Sequence, residues 1–180
     1  MRNLKAYVIV VCLILGSYLG GSPCVHAHLM VAQHGTLNIV DDGVFMVLSL
    51  PVSAFGDLDQ NGDGDVSMLE FNTHRAQVVE LVEQNISLRD DHRSLALEGL
   101  LLSPVLSHDS NAQAIDQVTV LGRFNLNVSA TDLAFTVGIY GRERSEQTLE
   151  ITVTDSAMDL KNVFVLSPEV STSTLFIQKV

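Results

Sequence analysis

Apolar and polar residues alternate along several stretches of the second half of the chain. Leu133, Phe135, Val137 and Ile139, for example, are separated by single smaller or polar residues. A period of two is typical of strands that bury one face. We therefore predict antiparallel strands in 118–126, 133–139, 149–153 and 163–166, and an earlier one in 95–106 that Gly99 and Pro104 weaken.

The first half of the chain predicts a hairpin and then a short helix. Residues 36–40 and 44–50 have strand-like composition, and Asp41-Asp42-Gly43 between them is a turn signal. Pro51 ends the second strand. A short helix is expected through Ser53-Ala54-Phe55.

A longer helix is predicted from about Met68 to Gln84. Its apolar residues recur three, four and seven positions apart, as in an amphipathic helix: Phe71, Val78, Leu81 and Val82. Seven or eight strands with short connections then predict a mainly β (α+β) fold. The expected architecture is an antiparallel β-sandwich with a helix-loop-helix inserted after the first hairpin, and residues 28–180 form one domain.

The first 27 residues have the three regions of a secretory signal peptide. Arg2 and Lys5 precede an apolar run over 6–19, and small residues precede a predicted cleavage after Ala27. A transmembrane helix needs about 20 apolar residues, whereas this run has 14. We therefore expect a cleaved signal peptide (1–27), no membrane span after cleavage, and an extracytoplasmic location, periplasmic or secreted.

Composition narrows the functional classes for residues 28–180. Removal of Arg2 and Lys5 leaves eight basic residues against 21 acidic ones, a formal charge of 8 − 21 = −13. This charge disfavours nucleic acid and other phosphate-rich partners. Cys12 and Cys24 are the two cysteines and both precede the cleavage site, so no disulfide is expected. Hydrophobic residues make up 47% of the chain, which favours a packed core over disorder.

The segment Asp59–Glu70 carries the strongest chemical signal. Its sequence, DQNGDGDVSMLE, places oxygen-bearing residues at positions 1, 3, 5, 7, 9 and 12 and glycine at position 6. Calcium is a hard cation that prefers about six to eight oxygen ligands, and glycine permits the sharp turn that the loop needs. The predicted metal ligands are Asp59, Asn61, Asp63, Asp65 through its backbone carbonyl, Ser67 through a water molecule, and Glu70 as a bidentate carboxylate.

This loop resembles the calcium-binding loop of the EF-hand superfamily. Phe55, Leu58 and Phe71 fall where the flanking helices of EF-hands keep apolar anchors, so the resemblance covers about residues 53–84. Ser67 and Glu70 also match a Ser-x-x-Glu capping box at the start of the second helix. The resemblance implies Ca²⁺ as the bound ion.

EF-hands usually pair through the residue at position 8 of the loop, which is Val66 here, but the sequence contains no second loop. A single hand on a β-domain is typical of a structural site, because calcium sensors open a paired set of helices. Residues 28–180 also lack a nucleophile elbow, a zinc-protease motif and a phosphate loop. We therefore predict an exported, non-enzymatic calcium-binding protein whose EF-hand stabilises a β-domain for an unidentified extracytoplasmic partner protein. The alternative from another class is an enzyme with a hydrolase-like site assembled from scattered strand ends, for which the sequence shows no motif.

An alternative function is that of a periplasmic copper- or nickel-binding accessory protein. Cleavage after Ala27 would give His28 a free α-amine beside its imidazole, a pair that chelates Cu(II) or Ni(II). His34, or His108 with Asp109, could complete such a site, and Met30 is a soft ligand for Cu(I). The opposing interpretation is that these histidines are ordinary surface residues, since no compact ligand spacing is present.

The order of features also resembles the extracytoplasmic region of membrane proteins of the HupE/UreJ type, which are associated with metal uptake for hydrogenase and urease. The shared features are an early histidine after the signal, a strand that ends in Leu50-Pro51, the loop that begins at Asp59, and a β-rich remainder. Such proteins continue into several membrane helices, and none precedes Val180 here. This resemblance therefore implies a metal-linked accessory role without transport.

Overall fold

The computed structural model describes residues 32–91, 93–107, 114–126 and 132–176. Several features predicted from the sequence lie outside these described residues. They are the signal peptide (1–27), His28, Met30, His108 and Asp109.

The described residues form ten β-strands, one α-helix and two short 3-10 turns. The helix, α1, spans Met68–Asn85, close to its predicted bounds, and the turns span Val52–Phe55 and Arg144–Glu146. No helix in this part of the chain has the length and apolar character needed to cross a bilayer. The strands are β1 (His34–Val40), β2 (Gly43–Pro51), β3 (Ile86–Arg89), β4 (Ser94–Leu95), β5 (Leu97–Leu106), β6 (Ile115–Asn125), β7 (Ala134–Val137), β8 (Leu149–Asp155), β9 (Leu160–Leu166) and β10 (Thr172–Thr174).

The strands make two sheets. A six-stranded sheet has the order β5-β6-β2-β1-β8-β9, and a four-stranded sheet has the order β10-β7-β3-β4. Strand β1 runs parallel to β8, with His34 opposite Glu150, so the prediction of a wholly antiparallel arrangement is wrong at this pair. A parallel neighbour requires a long connection, and here almost the whole domain separates the two strands.

The β1–β2 hairpin confirms the predicted turn. Val40 pairs with Gly43, so Asp41 and Asp42 make a two-residue connection in which Asp41 has φ +52°. Aspartate tolerates this left-handed conformation better than most residues. Side chains then alternate along β2, and its inward-facing residues are almost completely buried: Val44, Met46, Leu48 and Leu50.

One hydrophobic core joins both sheets and the helix. Phe124 of β6 and Phe135 of β7 meet edge to face between the sheets, with ring centroids 6.4 Å apart. Phe71, Val78 and Val82 of α1 are fully buried in the same core, which confirms three of the four residues of the predicted apolar face, whereas Leu81 is only partly buried. The predicted fold class, mainly β with an inserted helical segment, is therefore confirmed.

Two details of the predicted architecture differ. Ten described strands exceed the predicted seven or eight, because β3, β4 and β10 have only four, two and three residues and are too short to show a clear alternation. The helix predicted at Ser53-Ala54-Phe55 is a single 3-10 turn that ends at Gly56, where φ is +83°. The acidic segment Asp59–Glu70 is thus flanked by a full helix on its C-terminal side only.

Candidate metal site

Buried residues hold both ends of the acidic loop, Asp59–Glu70. Phe55 and Leu58 precede it with 0% and 1% exposure, and Phe71 follows it with 0% exposure. These are the three positions predicted as apolar anchors. Residues 61–65 between the buried ends are exposed to solvent, so the loop is fixed at its base and open at its tip.

Asp59 organises the tip of the loop. Its Oδ1 accepts a hydrogen bond from the Gly62 N–H at 2.8 Å, and its Oδ2 accepts one from the Gly64 N–H at 2.9 Å. Both glycines have positive φ, +74° and +92°, a conformation that glycine adopts without a steric penalty. The backbone therefore folds around the first predicted ligand.

The next predicted ligands are linked in a short chain. The Asn61 Oδ1 accepts from the Asp63 N–H at 2.7 Å, and the Asn61 Nδ2 donates to the Asp63 Oδ2 at 2.9 Å. The Asp63 Oδ1 in turn accepts from the Asp65 N–H at 3.0 Å. These contacts link Asn61, Asp63 and Asp65, and with the contacts of Asp59 they order the loop from residue 59 to residue 65.

Glu70 closes the loop from the first turn of α1. Its Oε2 accepts from the Ser67 N–H at 2.9 Å and from the Ser67 hydroxyl at 2.7 Å. Its Oε1 accepts from the N–H groups of Gln60 at 3.0 Å and Asn61 at 3.4 Å. The Ser67 hydroxyl also accepts from the Glu70 N–H. The predicted capping box is therefore present.

These donors keep Glu70 ionised although only 8% of the residue is exposed. Hydrogen bonds from Ser67, Gln60 and Asn61 lower the pKa of Glu70 from 4.5 to about 2, although burial acts in the opposite direction. The Ser67 N–H lowers this pKa most, followed by the Ser67 hydroxyl. The helix N-terminus favours the same charge state. Glu70 is thus a fixed negative charge at the base of the loop.

An open depression of about 360 Å³ lies beside this carboxylate, lined by Gln60, Asn61, Ser67, Leu69, Glu70 and Thr73. Across the described residues, no three side chains of His, Cys, Asp and Glu converge into a ready-made metal centre. Within the loop, Glu70 faces backbone amides, and two of the predicted oxygen donors come from an Asn side chain and a backbone carbonyl.

His74 also belongs to the surroundings of the loop. It is half-buried, its Nδ1 lies 2.9 Å from the Glu70 carbonyl oxygen, and its Nε2 lies 2.9 Å from the Gln60 Nε2. His74 follows Glu70 by four residues, which places it one helical turn further along the same face. This four-residue spacing is the feature of the sequence that could have placed His74 beside the loop.

A second cluster fixes the segment that enters the loop. The Ser53 hydroxyl donates to the Glu146 Oε2 at 2.6 Å and accepts from the Arg142 N–H at 3.2 Å. The Arg142 guanidinium pairs with Asp57, two residues before the loop. The loop between β7 and β8 therefore contacts the segment 53–57, which leads into Asp59.

His34, one of the histidines predicted to complete a copper or nickel site, has the carboxylate of Glu150 beside it in the described part of the structure. The His34 Nδ1 lies 2.9 Å from the Ala32 carbonyl oxygen, and its Nε2 lies 3.6 Å from Glu150 on the neighbouring strand β8. His28, Met30 and His108 lie outside the described residues. The copper or nickel site stays a prediction.

No family model matches the chain, and a search of curated proteins finds no match. The resemblances to EF-hands and to proteins of the HupE/UreJ type rest on the residues quoted above.

Proposed function

We propose that this chain is an exported, non-enzymatic calcium-binding protein in which a single EF-hand-like loop stabilises a β-domain that binds another extracytoplasmic protein. The observation that carries this proposal is the ordering of the loop by its own backbone. Amides within the loop hold the carboxylates of Asp59 and Glu70 at its two ends. Preorganised ligands lose less entropy when they bind.

The donor chemistry favours calcium over softer metals. Oxygen atoms of Asp59, Asn61, Asp63 and Glu70, with the Asp65 carbonyl, would hold the ion, and no sulfur or imidazole nitrogen belongs to this set. Such all-oxygen sets suit Ca²⁺, whereas imidazole and thiolate ligands suit Zn²⁺ and copper ions. The bound cation would also offset the negative charges that Asp59, Asp63 and Glu70 bring to one loop.

A structural role follows from what the loop connects. On one side lies the segment clamped by Ser53, Asp57 and Arg142, and on the other lies α1, whose buried face is part of the common core. A cation that fixes the loop therefore fixes the helix relative to the sheets. At 100 times its dissociation constant, an ion that binds only the folded state adds about 2.7 kcal/mol of stability.

A thermal melt of the purified protein tests the proposal. We expect the melting temperature (Tm) to rise from its value in EDTA when Ca²⁺ is added, and to rise little with Mg²⁺ or Cu²⁺. Glu70→Gln should abolish the calcium-dependent rise, while Glu83→Gln, the same charge change at an exposed position of α1, should retain it. A rise with Cu²⁺ and none with Ca²⁺ would overturn the proposal.

The calcium-dependent difference is the informative quantity in this experiment. Glu70→Gln also removes a carboxylate that accepts hydrogen bonds from three residues, Gln60, Asn61 and Ser67. The variant will therefore melt earlier than the wild type even in EDTA. Only the shift between EDTA and calcium separates metal binding from helix capping.

A further inference from the structure

Position 8 of the acidic loop has a partner within the chain. The Val66 carbonyl oxygen accepts a hydrogen bond from the Ile115 N–H at 2.7 Å, and the adjacent residue Ser67 forms an antiparallel bridge with Ala114. Ala114 and Ile115 are buried, at 5% and 3% exposure. The start of β6 therefore lies alongside the loop where the sequence offered no second loop.

This partner belongs to a central strand. Strand β6 pairs with β2 along Gly43–Pro51 and with β5 on its other edge. At its first residues, the Ser107 N–H donates to the Ala114 carbonyl oxygen at 2.8 Å, and Ile115 pairs with Leu106. Val66 is consequently attached to one of the most extensively paired strands of the larger sheet.

The attachment lies one residue from the machinery that orients Glu70. Ser67 follows Val66 directly, and both its N–H and its hydroxyl donate to the Glu70 Oε2. A shift of the Val66 peptide would displace the Ser67 N–H and with it the carboxylate. The path from sheet to ligand thus runs from Ile115 through Val66 and Ser67 to Glu70.

We propose that the start of β6 is the positioning partner of the calcium loop, in the place that a second EF-hand would occupy, and that the Ile115 N–H bond to Val66 raises calcium affinity. This inference rests on the proposed function. Ile115 does not touch the ion and acts through Val66. The hydrogen bond between Ile115 and Val66 and the binding of calcium are thermodynamically linked. If the bond raises calcium affinity by a given factor, calcium raises the equilibrium constant for forming the bond by the same factor.

An amide-to-ester substitution at Ile115 tests this role, because it removes the N–H and keeps the side chain, and it weakens the Ala114 carbonyl as an acceptor without removing it. The matched control is the same substitution at Leu126, whose N–H donates to the Asp42 carbonyl oxygen, also at 2.7 Å, just beyond the other end of β6. Calorimetric titration with Ca²⁺ should show a Kd about 2- to 10-fold higher for the Ile115 ester, as expected for one net hydrogen bond. The Leu126 ester should bind like the wild type.

Hydrogen exchange in the wild-type protein gives a second readout that needs no variant. Calcium should slow exchange of the Ile115 amide more than exchange of the Leu126 amide. Equal slowing of exchange at both amides would mean that calcium acts on global stability alone. Equal Kd values for the two esters would mean that β6 does not position the loop. Either result overturns this inference while the proposed function stands. Absence of calcium binding to the wild type would overturn both.

Discussion

Glu70 holds two positions at once, the last residue of the acidic loop and the third residue of α1. The same carboxylate accepts from the Ser67 N–H at the helix start and from the Gln60 and Asn61 N–H groups of the loop, to which it presents negative charge. Its ionisation is therefore tied to folding whether or not a cation is bound.

The lowered pKa of Glu70, about 2 against 4.5, predicts a pH dependence of stability. A carboxyl whose folded-state pKa is depressed stabilises the fold fully above the unfolded pKa, and this contribution is lost as pH falls through the folded one. In EDTA, the Tm difference between wild type and Glu70→Gln should be constant above about pH 5 and shrink between about pH 4.5 and 2. Glu83→Gln controls for net charge. A difference that stays constant down to about pH 2 would contradict the assignment.

Helix α1 shows which features of an element its sequence encodes. The three- and four-residue spacing predicted its bounds and its buried face, and the capping box predicted its start. The strand that follows was not separately predicted, because the four residues of β3 (Ile86–Arg89) are too few to show a clear alternation.

Two residues in the first turn of α1 provide a matched test of its packing. Phe71 is fully buried, whereas Leu69 is 77% exposed. Phe71→Ala should reduce the free energy of unfolding by about 3–5 kcal/mol, since it removes a large core side chain. Leu69→Ala should change it by less than about 0.5 kcal/mol. Urea denaturation measures both, and similar costs for the two would contradict the helix orientation.

For the whole molecule, the local pattern of residues along the sequence predicted most strands and the candidate metal ligands. It did not predict the contacts between distant segments. The alternation of 133–139 predicts a strand but not its neighbours, and the parallel pairing of His34 with Glu150 has no local signature. The same holds for the bond from Ile115 to Val66. Such contacts depend on how distant segments pack together, which residue spacing does not encode.

The shared core predicts that both sheets unfold together. The chain has no tryptophan, and Tyr140 is the only tyrosine beyond residue 27. The Tyr140 hydroxyl donates to the Val137 carbonyl oxygen at 2.9 Å, beside the four-stranded sheet. Tyrosine fluorescence and far-ultraviolet circular dichroism should therefore give coincident urea transitions, as in a two-state domain. An earlier fluorescence transition would show that the smaller sheet melts independently.

The pairing of β2 with β6 also has consequences for the order of folding. Paired residues lie between 66 positions apart, Pro51 with Gln117, and 82 apart, Gly43 with Asn125, whereas hydrogen bonds within the acidic loop span at most 10 positions. Short loops close in roughly 10–100 ns, while non-local sheets form in about milliseconds to seconds. The acidic loop can therefore take shape long before the central strands meet. Under the proposed function, calcium would then meet its loop in a chain that is still assembling.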